Sequence, residues 1–455
     1  MRRSRTMLLA ALLAMVTLTT NVSALAVAET PTEQLTLQTG ATLGTGSIGE
    51  SPLPPAEQAR RAQARLHDHP SGDALNHLAD AGKHPVITDA RSPRLAAQAA
   101  AAYTPVTWEE CAAHIYNDTD NTYWYRDKFN FCRIEKFTVT YRELQNGKLV
   151  ELGRTIFALG IKATASDGQN TVNFDMQMGN FKDEDTTRKE WPLSIQLSCD
   201  NADPARTSTC TEPGGPAVYR KSVAEWQAAA GTEFHFTKTM TTTATADTTY
   251  KQEMRGFFAA GLLVVMESPI QGPDVSSSPS VLLRCDSASY VRGSKCVAPD
   301  ATSVMRFSAS DPTLSESSQF IRDAQTDITR TKPGVPGKRV PGVLGTATPL
   351  HRLYSAYDVN NDIKASRRRV PKTCRLYWGP KYTVGPNGLA RECDEYPFAT
   401  TYENSARVLK TNTVLDYAVR AIDRDHNRNA GRIYGEWLGV DHILDGDPFY
   451  VEIVP

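Results

Sequence analysis

The stretch FCRIEKFTVTY, residues 131–141, decides the fold of the longer domain, because apolar and polar side chains alternate along it. A period of two is typical of a β-strand that buries one of its faces. Further segments between residues 104 and 306 are rich in Val, Thr and aromatic residues and are bounded by Gly, Asp, Asn and Pro; they are 149–164, 171–178, 193–198, 232–243, 253–266 and 280–286. Their succession predicts an antiparallel sandwich or barrel.

Aromatic residues cluster near the start of this β-rich region, at Trp124, Tyr125, Phe129 and Phe131. Aromatic side chains supply much of the buried area in such domains, so we expect these four to form core, with a ligand platform as the alternative. The region contains no constellation of residues typical of catalysis, and the sequence leaves its ligand open.

The chain of 455 residues is longer than one hydrophobic core usually supports, which predicts a multidomain protein. Residues 1–28 have the basic start, apolar stretch and small residues of a secretory signal peptide. Residues 29–101 are rich in Ala, Pro, Gly, Thr and Gln and are predicted to be a disordered linker or propeptide. A β-rich, sandwich-like domain at 102–310 and a small α+β domain at 311–455 complete the prediction.

The C-terminal domain has a mixed pattern of short elements. The sequence predicts helices at 318–328, 403–410 and 430–438, a loop at 333–348, and a terminal strand at about 449–454. No segment after the signal peptide approaches the roughly 20 apolar residues that span a bilayer, so we expect a secreted, extracellular protein without a membrane partner. We expect it to be a monomer.

Eight cysteines fall into four close pairs along the chain; they are Cys111, Cys132, Cys199, Cys210, Cys285, Cys296, Cys374 and Cys393. In an exported chain, nearest-neighbour disulfides are the simplest prediction, although other pairings stay open. A zinc site is the alternative, but the chain has no CxxC and no histidine pair at ligand spacing.

Charge is distributed unevenly, although the net charge of the chain is only -1. Residues 318–393 contain 14 basic and 5 acidic residues, a net of +9, whereas residues 394–455 contain 6 and 11, a net of -5. Cleaving a polyanion at a metal requires both a cationic surface and a carboxylate cluster. The alternative is that Arg367, Arg368 and Arg369 form a solvated loop and the acids are surface charges.

Three strings stand out in the C-terminal domain, CDEYPFA at 393–399, NRNAG at 427–431 and DGDPFYV at 445–451. Together they resemble the NucA/NucB family of secreted deoxyribonucleases, and the resemblance covers about residues 318–455. It implies a small, metal-dependent enzyme that cleaves DNA without sequence specificity and in which the aspartate of the DE pair, Asp394, is essential.

Phosphodiester hydrolysis requires a base that takes a proton from water and a cation that neutralises charge on the phosphate. Asp394 is the candidate base. If the segment is extended, Asp394 and Glu395 point to opposite faces, so Glu395 is the weaker candidate, as a catalytic residue, a metal ligand or a residue that supports the ligands. We expect a divalent cation, Mg²⁺, with Mn²⁺ or Ca²⁺ as alternatives.

Further candidates surround this pair. Asn427 offers a neutral oxygen to the metal, with a helix N-cap as the alternative. Glu403 aligns with a family glutamate as a metal ligand, yet TTYE at 400–403 is also a capping box, which we favour. Arg352 resembles the family's arginine and is predicted to hold a phosphate, although a plain surface arginine is the alternative.

The chain departs from the family pattern where histidine is replaced by Phe320, aspartate by His426, and two glycines by Asn404 and Ser405. His426 is a candidate alternative base or hydrogen-bond donor, since its ordinary pKa suits neutral pH; a solvated loop histidine is the competing interpretation.

A calcium loop is a second interpretation of residues 423–429, because Asp and Asn alternate there. It fails at Arg428, where glycine is required, and at Tyr434, where a bidentate acid is required.

Taken with the family resemblance, the sequence predicts a secreted, metal-dependent DNA endonuclease. The alternatives are an extracellular binding or adhesion protein with an inactive nuclease-like domain, and a structural exoprotein without a site.

Overall fold

The computed structural model of this chain describes the following residues: 33–40, 103–115, 123–146, 148–185, 187–203, 208–214, 218–242, 253–268, 272–411 and 415–455. The predicted signal peptide, residues 1–28, lies outside the described residues. No helix among those described is long and apolar enough to cross a membrane.

The β-rich domain consists of two antiparallel sheets, one of seven strands and one of six. Its strands are β1 (Glu33–Gly40), β2 (Trp124–Asp127), β3 (Asn130–Gln145), β4 (Lys148–Ala165), β5 (Thr171–Asp185), β6 (Pro192–Asn201), β7 (Ser208–Thr211), β8 (Val218–Ser222), β9 (Glu233–Thr242), β10 (Arg255–Ser268), β11 (Gly272–Ser277), β12 (Val281–Asp286) and β13 (Cys296–Val297). The first sheet has the order β1-β3-β4-β5-β9-β7, with β2 beside β3, and the second has the order β13-β12-β10-β6-β8, with β11 beside β10. Two short helices, α1 (Trp108–Ile115) and α2 (Val223–Ala228), belong to this domain.

Because apolar and polar residues alternate along β3, the side chains of Phe137, Val139 and Tyr141 point to one face and pack in a core that both sheets share. Trp124, Tyr125, Phe129 and Phe131 are likewise buried, which confirms the prediction that they form core. Fully burying one such side chain stabilises the fold by about 1.5–3 kcal/mol. The β-rich domain and all seven strand segments predicted from the sequence are therefore confirmed.

Strand β1 lies within the segment 29–101 that we predicted to be a disordered linker or propeptide. It pairs antiparallel with β3, from Glu33 opposite Glu143 to Gly40 opposite Lys136. The sequence EQLTLQTG alternates, and the edge of β3 offers backbone groups that an added strand can satisfy. For these residues the structure differs from the prediction; the remainder of 29–101 lies outside the described residues.

The C-terminal domain combines two small sheets with four helices. Its strands are β14 (Ser303–Ser308), β15 (Leu350–His351), β16 (Arg391–Tyr396), β17 (Ala418–Asp423) and β18 (Pro448–Val454). Its helices are α3 (Ser315–Thr326), α4 (Asp362–Trp378), α5 (Ser405–Thr411) and α6 (Arg424–Val440), with short 3-10 turns at Ile328–Arg330, Ser355–Tyr357 and Pro386–Gly388. One sheet has the order β14-β18-β15 and the other consists of β16 and β17.

Strand β14 (Ser303–Ser308) pairs with a strand of the C-terminal domain, although it precedes residue 311, where the sequence predicts that domain to begin. Strand β14 runs parallel to β18, with Ser303 opposite Phe449. Its buried Met305 and Phe307 pack in the same core as α3 and α6. A domain that began at 311 would lack the strand on one side of β18.

The sequence did not predict helix α4. Of the two interpretations of Arg367–Arg369, a cationic surface and a solvated loop, the loop is therefore wrong. Pro371 lies inside the helix, and Ser366 and Thr373 are among its buried residues, so the apolar period is weak. Helix α6 also begins six residues earlier than predicted, because the side chain of Asp423 caps it by accepting from the backbone N–H groups of Asp425 and His426.

All four nearest-neighbour disulfides are formed, as predicted: Cys111–Cys132, Cys199–Cys210, Cys285–Cys296 and Cys374–Cys393. The last one joins α4 to β16. The predicted zinc alternative is excluded for these cysteines, since none of them is free.

Candidate active site

A cleft of about 480 Å³ opens in the C-terminal domain between α4, β16 and α6. Its lining includes four of the predicted site residues, Arg352, Asp394, Glu395 and Asn427, and also Arg367 and Tyr434. The antiparallel strands β16 and β17, and helix α6 directly after them, position Asp394 and Asn427. Asp394 comes from β16, and Asn427 comes from the first turn of α6, which follows β17.

Asp394 is a partly buried carboxylate on a strand without irregularity. Its Oδ1 accepts a hydrogen bond of 2.8 Å from the backbone N–H of Glu395. Burial raises the pKa of Asp394 to about 7, and the charges of Glu395 and Glu392 act in the same direction. A carboxyl group with a pKa near neutrality suits general-base catalysis near pH 7.

Glu395 faces away from Asp394, as predicted for neighbouring residues of an extended strand. Its Oε1 accepts hydrogen bonds from the hydroxyl of Ser366 and, at 3.0 Å, from the backbone N–H of Ser405. Burial raises the pKa of Glu395. The carboxylate therefore joins β16 to α4 and α5, which differs from the predicted roles as catalytic residue and metal ligand.

Arg352 is buried beside the cleft rather than exposed on the surface. Its guanidinium donates to the carbonyls of Ile443 and Leu438 and lies over the rings of Tyr290 and Tyr354, at 4.7 and 5.6 Å from their centroids. Burial lowers the pKa of Arg352, although a guanidinium remains charged at neutral pH. No described carboxylate lies within ion-pair distance of it, and the charges of Asp447 and Asp445 act on it only from farther away. We therefore expect an anion in the cleft to be attracted by this charge.

Asn427 is oriented by a residue that the sequence analysis missed. Its Nδ2 donates to Oε2 of Glu392 at 3.1 Å, and Arg428 donates to Oε1 of Glu392 at 2.6 Å. Asp423, not Asn427, caps the helix, which removes the predicted alternative role. The amide oxygen is thereby directed away from Glu392. The position of Glu392 two residues before Asp394, on the same face of β16, is the signal that would have found it.

Glu403 lies outside this cleft and does not act as predicted. Its two carboxylate oxygens bind His351, at 2.9 Å from the backbone N–H and at 2.8 Å from Nδ1. The predicted capping box is also wrong, because Asn404 Oδ1 accepts from Ala406 and Arg407 at the start of α5. Asn404, which replaces a glycine of the family pattern, therefore caps the start of α5 in place of the predicted capping box.

His426 is turned away from Asp394 and is not part of the cleft lining. Its Nδ1 accepts from the backbone N–H of Glu316 at 3.3 Å. Neighbouring residues of a helix differ by about 100° in direction, so a helix that presents Asn427 to the cleft turns His426 aside. The prediction of His426 as an alternative base is therefore not supported by its position, and a helix at 424–440 also excludes the calcium loop.

The departure at Phe320 has a structural explanation, because this side chain is fully buried in the core of the C-terminal domain. Arg420 lies over its ring, at 5.6 Å from the centroid. The residue packs α3 and takes no part in the cleft.

The cleft offers oxygen donors to a cation, namely the Asp394 carboxylate and the Asn427 amide oxygen. Hard oxygen donors fit Mg²⁺, which keeps several waters and takes further ligands from substrate phosphates. The chemistry of these donors is compatible with the predicted cation.

Asp175, Glu233 and His235, in the β-rich domain, are the one described group whose three ligand atoms have the spacing of a metal site. Lys162 Nζ already lies 2.8 Å from Glu233 Oε1, which places a positive charge at that group. The three residues of this group are far in the sequence from every residue that lines the cleft.

The β-rich domain contributes directly to the region around Arg352. Tyr290 stacks on Tyr354 at a centroid distance of 3.7 Å and accepts a hydrogen bond of 3.0 Å from the backbone N–H of Asp445. Arg284 donates to Asp447 from the other side of the domain boundary. Sequence reasoning found neither residue, since both lie outside the stretch that carries the family resemblance.

No protein-family model, curated protein or solved structure matches this chain. The resemblance to the NucA/NucB family therefore remains a prediction from the motifs.

Proposed function

We propose that the protein is a secreted, metal-dependent endonuclease that hydrolyses DNA phosphodiester bonds without sequence specificity. One observation carries the proposal: Asp394, whose pKa burial raises to about 7, lines a single cleft with Arg352 and Asn427. A base near neutrality, a buried cation without a carboxylate partner among the described residues and a neutral oxygen donor are the groups that phosphodiester hydrolysis requires.

The chain's own residues divide the work. Asp394 accepts the proton of the attacking water at its carboxylate. Arg352, fixed by the carbonyls of Ile443 and Leu438, holds a phosphate oxygen and stabilises the negative charge that develops on it. Glu392 orients Asn427 so that its amide oxygen is available to the cation.

Asn427, with Asp394 beside it, would hold the divalent cation. When bound, Mg²⁺ neutralises phosphate charge and polarises the phosphorus–oxygen bonds.

Secretion is part of the proposal. The four disulfides are consistent with an oxidising compartment outside the cytosol. The basic and apolar start of the chain is typical of an export signal.

A plasmid-nicking assay on the purified full chain tests the function. We expect conversion of supercoiled to open-circular DNA with Mg²⁺, loss of conversion in EDTA, and recovery when the cation is added back. Mn²⁺ and Ca²⁺ are compared in parallel. Intact plasmid under all these conditions would contradict the proposal and favour an extracellular binding protein.

A further inference from the structure

Helix α4 carries a stripe of exposed cations that starts at the cleft. Lys364, Arg367, Arg368 and Arg375 are all exposed. Arg367, Arg368 and Arg375 follow Lys364 by three, four and eleven residues, which places all four on one face of the helix. Arg367 belongs to the lining of the cleft. Among the described residues no ion pair involves any of these four, so the stripe has a high positive charge that the fold does not neutralise.

Trp378 ends the same stripe. It lies three residues after Arg375 and is 40% exposed, at the C-terminal end of α4. The ring of Tyr377 supports it at a centroid distance of 6.1 Å. From Arg367 to Trp378 the helix rises by about 16 Å. A row of cations that leads from a cleft to an exposed indole combines phosphate contacts with a stacking surface.

We propose that α4 binds a single-stranded segment of nucleic acid, with phosphates on the exposed cations and one unpaired base stacked on Trp378. The bases of a duplex are stacked on each other and present only their edges, so an indole on a protein surface finds a base face only where a strand is unpaired. The absence of acidic residues from the stripe favours a polyanion over an apolar partner. The inference rests on the proposed function only in that the bound strand then leads into the cleft at Arg367.

Binding is measured separately from cleavage, on the full chain carrying Asp394→Asn, in EDTA. Fluorescence anisotropy reports the Kd for a labelled 12-nucleotide single strand and for the same strand as a duplex, and a gel checks that the DNA stays intact. Trp378→Ala is expected to weaken single-strand binding by about 5- to 150-fold, which corresponds to the loss of one base–aromatic stack. Trp378→Phe should retain most of the affinity.

Leu376→Ala is the matched control. Leu376 is 77% exposed on the same helix but lies about 160° around it from Trp378. Its replacement should leave the Kd unchanged. Arg375→Ala should weaken single-strand and duplex binding alike and reduce the salt slope by about 0.7 for the single strand and about 0.9 for the duplex.

The inference is overturned if Trp378→Ala leaves the single-strand Kd unchanged, or if it weakens duplex binding to the same extent. Vesicles containing phosphatidylserine test the other polyanionic partner. If Trp378→Ala abolishes vesicle binding and leaves DNA binding intact, the stripe is a membrane surface and the inference is wrong. None of these results depends on catalysis, so failure of the nicking assay and failure of the binding assay remain distinguishable.

Discussion

Arg284 of the β-rich domain donates two hydrogen bonds to the carboxylate of Asp447 in the C-terminal domain, at 2.7 and 3.0 Å. Both side chains are buried, and Lys128 Nζ lies 3.6 Å from the same carboxylate. The carbonyl of Asp447 in turn accepts from the backbone N–H of Arg352 at 3.1 Å. A residue outside the predicted catalytic domain therefore fixes the segment that positions the cleft's arginine.

Replacing Arg284 by Ala should lower the free energy of unfolding by about 3–5 kcal/mol, because it removes both hydrogen bonds to the buried Asp447 charge and leaves only the weaker attraction of Lys128 and Arg255. Urea unfolding followed by tryptophan fluorescence measures the change.

Arg220→Ala is the matched control for that experiment. Arg220 also makes a bidentate contact, to Glu267, but both side chains are exposed. An exposed ion pair contributes only about 0–1 kcal/mol. Equal decreases in the free energy of unfolding of the two variants would show that the buried Arg284–Asp447 pair stabilises the protein no more than an exposed ion pair does.

Stability should fall steeply in acid. Burial alone would raise the pKa of Asp447, but the charges of Arg284 and Lys128 hold it well below its usual range. A carboxyl whose folded pKa is depressed stabilises the fold above its unfolded pKa of about 3.9, and this contribution is lost as the pH falls through the folded value. Urea midpoints between pH 7 and pH 2.5 should decline below about pH 4. The urea midpoint of the Arg284→Ala variant should decline less over the same pH range. If the variant and the wild-type protein lose the same stability in acid, Asp447 is not the group responsible.

Residues 311–455, the C-terminal domain as predicted from the sequence, should not form a stable domain by themselves. The fragment lacks β14, the parallel partner of β18, and it lacks Arg284 and Lys128. We expect no cooperative thermal transition for this fragment, whereas the full chain should give one. A fragment that melts cooperatively and nicks plasmid at the rate of the full chain would show that the β-rich domain is dispensable.

DNA affinity should depend steeply on salt, with a log–log slope of roughly -3 to -6 if several cations of α4 contact phosphates. Replacing Arg368 and Arg375 together by Ala should make the slope shallower by up to about 1.8, since each phosphate contact releases about 0.9 of a counterion from duplex DNA. Saturated turnover should change little, because such contacts hold substrate equally in the ground and transition states. Arg432→Ala, at an exposed arginine paired with Glu436, is the control and should leave the slope unchanged.

The seven predicted strands of the β-rich domain and the four disulfides were predictable because their signals are local. The alternation in β3 and the close spacing of each cysteine pair specify their structures without reference to distant residues. Helix α4 was not predictable in the same way, since Pro371 and the buried Ser366 and Thr373 hide its period.

The site was predictable only in part, for a physical reason. Asp394, Asn427 and Arg352, three of the residues named from the family resemblance, line one cleft. The roles of Glu395 and Glu403 depend on partners from distant segments, Ser366 and His351, that no local pattern reveals. A carboxylate satisfied by such partners and one left for chemistry look the same in the sequence.

The most direct test of the account is the nicking rate of Asp394→Asn in the full chain with Mg²⁺, beside a circular dichroism melt. Asp425→Asn, an exposed aspartate on α6 outside the cleft lining, is the matched control. Loss of a general base typically costs about 10²- to 10⁴-fold in rate. We predict such a loss for Asp394→Asn with an unchanged melt, and a wild-type rate for Asp425→Asn. A folded Asp394→Asn variant that nicks plasmid at nearly the wild-type rate would contradict the account.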